Sequence, residues 1–175
     1  MKNKKKLLVP VMVVALVLAT IGGTLAWLKA QTDEVKNTFT VGNVGVELAE
    51  TTGNEYKLMP GHEYTKDPKV TLTDGSEDAW LFVEVIRSEG FDDCVTAAIA
   101  DGWTKLDSEK TREVYYKESP KAGEAFPVLE GNKVTIKDLT NDTMPEVAPT
   151  LSFKAYAIQK DGFATAEKAW AEAQK

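Results

Sequence analysis

The run "AWLFVEVI", residues 79–86, is apolar at both odd and even positions. Successive side chains of a strand point to opposite faces. A strand of this composition is therefore central and buried on both sides. Whatever fold holds it must supply a cover for each face. Around this run the apolar pattern has period two. Val70 and Leu72 alternate with Lys69, Thr71 and Thr73, and Phe39 and Val41 alternate with polar residues, as do Val44, Val46 and Leu48. Parity switches across Gly42-Asn43, which predicts a bulge or bend there. Residues 114–116, 134–136 and 151–158 complete the predicted strands. Turn signals separate them at Pro60-Gly61, Asp74-Gly75, Glu89-Gly90, Gly131-Asn132 and Asn141-Asp142. The fold class that follows is mainly all-β, an antiparallel jelly-roll-like β-sandwich.

Two short helices interrupt the strands. In "FDDCVTAAIADGW", Asp92 or Asp93 is placed to cap an N-terminus, Gly102 to stop the helix, and Val95, Ala98 and Ile99 to form its apolar face. Near the end, Ala166, Ala169, Trp170 and Ala173 fall at i, i+3, i+4 and i+7 behind a Thr165 cap. That stripe is expected to dock on the sandwich.

The chain opens with a targeting segment. Lys2, Lys4, Lys5 and Lys6 precede an almost wholly apolar stretch over residues 7–21, and Gly22-Gly23-Thr24-Leu25-Ala26 supplies the small residues a signal peptidase needs. Cleavage is expected between Ala26 and Trp27. The alternative is an uncleaved anchor, since residues 7–28 are long enough to cross a bilayer, though Pro10 and the paired glycines count against it. The expected organisation is a signal peptide over 1–26, an extended polar segment over 27–37, and a β-sandwich domain with a C-terminal helix over 38–175.

Removing residues 1–26 leaves 149 residues and takes away four lysines and no acid. The 21 basic and 27 acidic side chains become 17 and 27, and the net charge moves from −6 to −10. Such a chain is repelled by nucleic acid and by anionic headgroups, so neither is an expected partner. Cys94 stands alone, so no intramolecular disulfide is available, and 149 residues suffice for a hydrophobic core instead. Once the signal is cut, no stable membrane insertion is expected.

Catalytic motifs fail one by one. His62-Glu63 begins like the zinc motif H-E-x-x-H, but Lys66 stands where the second histidine belongs, and His62 is the only histidine. Pro60-Gly61 opens a turn, and Tyr64, Thr65 and Pro68 suit extended chain. The same shortage of histidine removes a Ser-His-Asp or Cys-His pair. There is no G-x-S-x-G elbow, no phosphate-binding glycine loop, and no two carboxylates are marked out as a glycosidase pair. Asp74, Glu77 and Asp78 lack EF-hand spacing, and Asp92 and Asp93 are accounted for by helix capping. No catalytic residue, metal ligand or cofactor is assigned.

The run "GGTLAWLKAQTDEVKNTFTVGNVGVEL" resembles the N-terminal region of the TasA/camelysin family of exported proteins of Gram-positive bacteria. Gly22, Gly23, Thr24, Ala26 and Trp27 match the end of its SipW-type signal peptide, and residues 37–44 match its first strand. "LMPGHEYTKDPKVTLTDGSEDAWLFVEV", "DGWTKL" and "AYAIQKDGFATAEKAW" are similar to further family segments, so the likeness covers most of the chain. The resemblance implies a secreted, non-enzymatic structural protein of the biofilm matrix or cell surface. It also implies self-assembly by strand addition from the N-terminal segment, with itself or with related matrix proteins. Leu28, Ala30 and Val35 would then offer side chains to the acceptor, and a signal peptidase would be a partner during export. Two alternatives remain: a camelysin-type surface metalloprotease, for which this chain lacks the histidines, and a monomeric adhesion or ligand-binding sandwich.

Overall fold

The computed structural model describes residues 42–175. The expected cleavage site at Ala26-Trp27, the segment carrying Leu28, Ala30 and Val35, and the alternation at Phe39 and Val41 lie outside the described residues. In chain order the described part forms β1 (Val46–Ala49), β2 (Glu63–Thr65), β3 (Lys69–Leu72), β4 (Ala79–Arg87), a helical turn α1 (Phe91–Cys94), β5 (Val95–Thr96), β6 (Thr104–Ser108) and β7 (Arg112–Glu118). Next come β8 (Ala125–Pro127), β9 (Lys133–Ile136), β10 (Leu151–Gln159) and helix α2 (Ala166–Ala173).

All pairings are antiparallel. One layer is a four-stranded sheet in the order β10-β4-β7-β6. The other is built from two three-stranded sheets, β1-β3-β8 and β2-β9-β5. These meet at a kink where Pro68 cannot donate a hydrogen bond but its carbonyl accepts from Val128 N–H at 2.9 Å, while Lys66 N–H donates to the Asn132 carbonyl at 2.8 Å. The protein is thus mainly β and sandwich-like, as the alternation predicts.

Strand β4 occupies the place its composition demands. Its odd side chains Leu81, Val83 and Val85 face the second layer and pack with Val70, Tyr115 and Val128. Its even side chains Trp80 and Phe82 lie under α2, against Ala166, Ala169 and Trp170. Helix α2 is the stripe expected from the sequence, and the Thr165 hydroxyl accepts from Lys168 N–H as its cap at 3.5 Å. Trp80 Nε1 donates to the Phe163 carbonyl at 3.2 Å and fastens the turn before α2 to the sheet.

The other expected helix is corrected. Only Phe91–Cys94 is helical, its cap is Gly90 in the left-handed region (φ 73°), and neither Asp92 nor Asp93 caps it. Val95 is already extended and joins β9, and Ile99 bridges to Leu129. Beta-branched Val95 and Thr96 lose less side-chain freedom in a strand than in a helix, and the exposed sheet edge at β9 offers them partners. Gly102 sits in a turn with φ 82°, so it ends no helix. In β1, Val46 packs against the core as expected, but Leu48 is 38% exposed. Beyond the expected set, β2, β5, β6 and β8 are short strands, none longer than five residues.

Candidate assembly edge

An edge strand leaves a row of backbone donors and acceptors without partners, so a sheet protein is defined partly by how it handles its edges. Most edges here are blunted. Strands β2 and β5 have three and two residues, β8 ends in Pro127, and β6 carries a register break between Lys105 and Asp107. Strand β10 differs. It runs nine residues in unbroken register with β4, from Leu151 opposite Arg87 to Gln159 opposite Ala79. Among the described residues no strand is hydrogen-bonded to its other side, where β1 lies nearby without pairing.

The direction of its free groups follows from its ends. Ser88 N–H donates to the Thr150 carbonyl at 2.9 Å, and Lys160 N–H donates to the Asp78 carbonyl at 2.8 Å. Hydrogen-bonded pairs recur at every second residue of an antiparallel ladder. Even-numbered residues between 150 and 160 therefore turn their N–H and C=O toward β4. Leu151, Phe153, Ala155, Ala157 and Gln159 turn theirs away, toward the open edge. Leu151, Phe153, Ala155 and Ala157 also direct their side chains at the core yet stay only half-buried, alongside Val46 of β1. The edge thus combines unpaired backbone groups with an incompletely covered apolar floor. Lys154, exposed on the outer face, is the one charged side chain along the strand.

The flank beside this edge is fixed by two buried ions. Lys66 is buried, pairs with Glu50 at 2.6 Å, and holds its ammonium 5.4 Å from the Tyr56 ring and 5.8 Å from the Phe153 ring. Asp67 accepts from Thr51 N–H and Thr52 N–H, both at 3.0 Å, and from the Thr51 hydroxyl at 2.6 Å. These bonds, that from the Thr51 hydroxyl first, hold its carboxyl well below the usual carboxylate range. Lys66-Asp67-Pro68 in "TKDPKV" thus kinks the second layer and ties the loop after β1 beside the start of β10. A seam lined by Leu48, Glu50, Asn54, Lys66, Leu151 and Phe153 results. It runs on, past Asn54, Lys66 and Leu151, into a larger groove of about 610 Å³.

The remaining candidates from the sequence fall elsewhere. His62 is exposed just after the Pro60-Gly61 turn, its N–H donating to the Met59 carbonyl at 3.0 Å and its ring 5.0 Å from Tyr64. Glu63 pairs with Lys133 at 2.6 Å, and Lys66, four residues on, is consumed by Glu50. Cys94 is buried and free. Asp92 lies 3.6 Å from Arg87. Among the described residues no group of three or more His, Cys, Asp or Glu side chains is placed to hold a metal ion. No described helix is long and apolar enough to cross a membrane.

The β10 edge was not assigned from the sequence. Its signal was present in the half-alternating "LSFKAYAIQ", but which edge a strand leaves open depends on sheet order. The groove has no sequence signal, because separate segments build it. Comparison with family models, with curated proteins and with solved structures finds no match.

Proposed function

We propose that this chain is a secreted, non-enzymatic structural protein of the extracellular matrix or cell surface, which self-assembles when the N-terminal segment of one copy adds as a strand to the next. The observation that carries the reading is the β10 edge: nine residues in regular register, outward N–H and C=O groups at every odd position, and half-buried apolar side chains beneath. An added strand satisfies the first and covers the second, and a head-to-tail contact of this kind propagates as a filament wherever its rotation does not close a ring. The resemblance of residues 22–44 to TasA/camelysin proteins supports the export step and the donor role of residues 27–37. Length is sufficient as well. Residues 27–41 span roughly 50 Å when extended, against roughly 30 Å for the nine residues of β10.

The test is the mass in solution of the mature chain beginning at Trp27, followed by light scattering. Growth well beyond the monomer is expected, and deletion of residues 27–37 is expected to abolish it. A mature chain that stays monomeric for days refutes autonomous assembly.

A further inference from the structure

Residues 27–41 exceed the nine residues of β10 by about six, and a groove opens just past the start of β10. Immediately beyond Leu151 lies the groove of about 610 Å³, within the size range of sites that bind small molecules or anchor side chains. Leu58, Phe91, Val95, Val134, Ile136 and Leu151 line it together with Lys66, and residues 54–57 and 148–150 border it. Its floor belongs to the apolar cluster of the β2-β9-β5 sheet. The other end of β10 is different in kind: the pocket at Gln159 is lined by Glu77, Asp78 and Asp161. The donor has an apolar tip to offer: Trp27 and Leu28 lead it, and residues 29–34 are polar apart from Ala30.

We infer that the groove is the anchor site for Trp27 of a neighbouring copy, so that the donor strand runs parallel to β10 with its N-terminus at the Leu151 end. This rests on the strand-addition reading and adds to it a direction and a specificity pocket. With Trp27 seated some three residues past Leu151, about nine residues pair along β10 and the last few lead into the donor's own body. The backbone ladder alone would accept any extended segment. An aromatic anchor in this largely apolar groove fixes register and selects chains whose signal has been cut just before a tryptophan.

The experiment mixes two mature chains, one carrying Lys29→Cys and the other carrying Asn54→Cys at the groove rim or Gln159→Cys at the far end. Asn54 and Gln159 are exposed, and buried Cys94 is common to all chains as the background control. Under mild oxidation, disulfide-linked species are expected for the 29–54 combination and not for 29–159. Trp27→Ala is expected to raise the concentration needed for assembly by about tenfold or more, the equivalent of losing a well-buried side chain. Linkage through 159 instead means that the strand runs the other way, which overturns this inference and leaves strand addition standing. Polymers that link at neither position, or that form equally well with Trp27→Ala, overturn it too. If no polymer forms from the unsubstituted chain, strand addition fails and the anchor site falls with it.

Discussion

Glu113 shows how single charges are held at the sandwich surface. Burial opposes its ionisation, but hydrogen bonds from Lys105, Arg87 and Tyr115 more than offset that and bring its carboxyl from the ordinary value of 4.5 to about 2. The folded carboxyl therefore titrates below the unfolded one. As pH falls, the unfolded chain binds the proton first, so this contribution is complete above about pH 5 and is gone below about pH 2. Its size is about 2–3 kcal/mol, allowing for the residual exposure of the group. Unfolding free energies of wild type and Glu113→Gln from urea denaturation should differ by that amount at pH 7 and converge toward pH 2. A gap that stays constant with pH would mean that the Gln effect is packing, not charge. Glu84 is the contrasting case, a buried carboxylate on the central strand. It meets Arg112 at 3.3 Å and the Tyr156 hydroxyl at 3.1 Å, and Arg112 is shared with Asp107 and Glu109. Burial, followed by the Glu84 charge, pushes the Tyr156 hydroxyl upward.

At the scale of elements, α2 and β10 make separable predictions. Trp170 is buried with its ring 5.3 Å from Phe82 and 5.1 Å from Tyr156, so Trp170→Ala leaves a cavity over β4 and should cost about 3–5 kcal/mol by urea denaturation. In β10 the two backbone parities can be set against each other. Ala155 N–H faces the open edge, and proline there removes only a donor that the fold does not use, so Ala155→Pro should keep the monomer folded and stop assembly. Tyr156 N–H faces β4, and Tyr156→Pro should unfold or strongly destabilise the domain. Far-ultraviolet circular dichroism read beside light scattering separates the outcomes, and an Ala155→Pro chain that still polymerises would move the acceptor to another edge. These elements differ in how legible they were. Two-sided apolarity placed β4, and a 3.6-residue stripe with its Thr165 cap placed α2, because both signals are local and strong. Residues 91–102 misled, because Asp92, Asp93 and Gly102 look like helix ends while the pairing of Val95 with Ile136 is set by a strand forty residues away. Short strands such as β5 and β8 have too few residues to show a period at all.

At the scale of the whole molecule, what could be read and what could not divide along the same line. Layering, buried faces and turns were legible, since each is written within a few neighbouring residues. Sheet order, the open edge of β10 and the groove were not. They arise when β10 is placed outside β4, and when Lys66 and Asp67 bring the loop of residues 50–56 alongside it. The proposed assembly adds a long-range term that the sequence does state. Without residues 1–26 each copy carries a net charge of −10, whereas residues 27–37 carry two lysines and two acids and are neutral overall. Bodies therefore repel one another while the donor neither helps nor opposes. The repulsion reaches about 30 Å in 0.01 M salt and about 8 Å at 0.15 M. Raising salt across that range should speed polymer growth several-fold at neutral pH, with little change in the extent finally reached, because the added strand is held by backbone pairing and apolar cover. Turbidity or light-scattering time courses at fixed protein concentration measure both quantities. Growth that slows with salt would instead show that opposite charges draw the copies together, and the search for the contact would then shift from the β10 edge to the acidic end near Asp78 and Asp161.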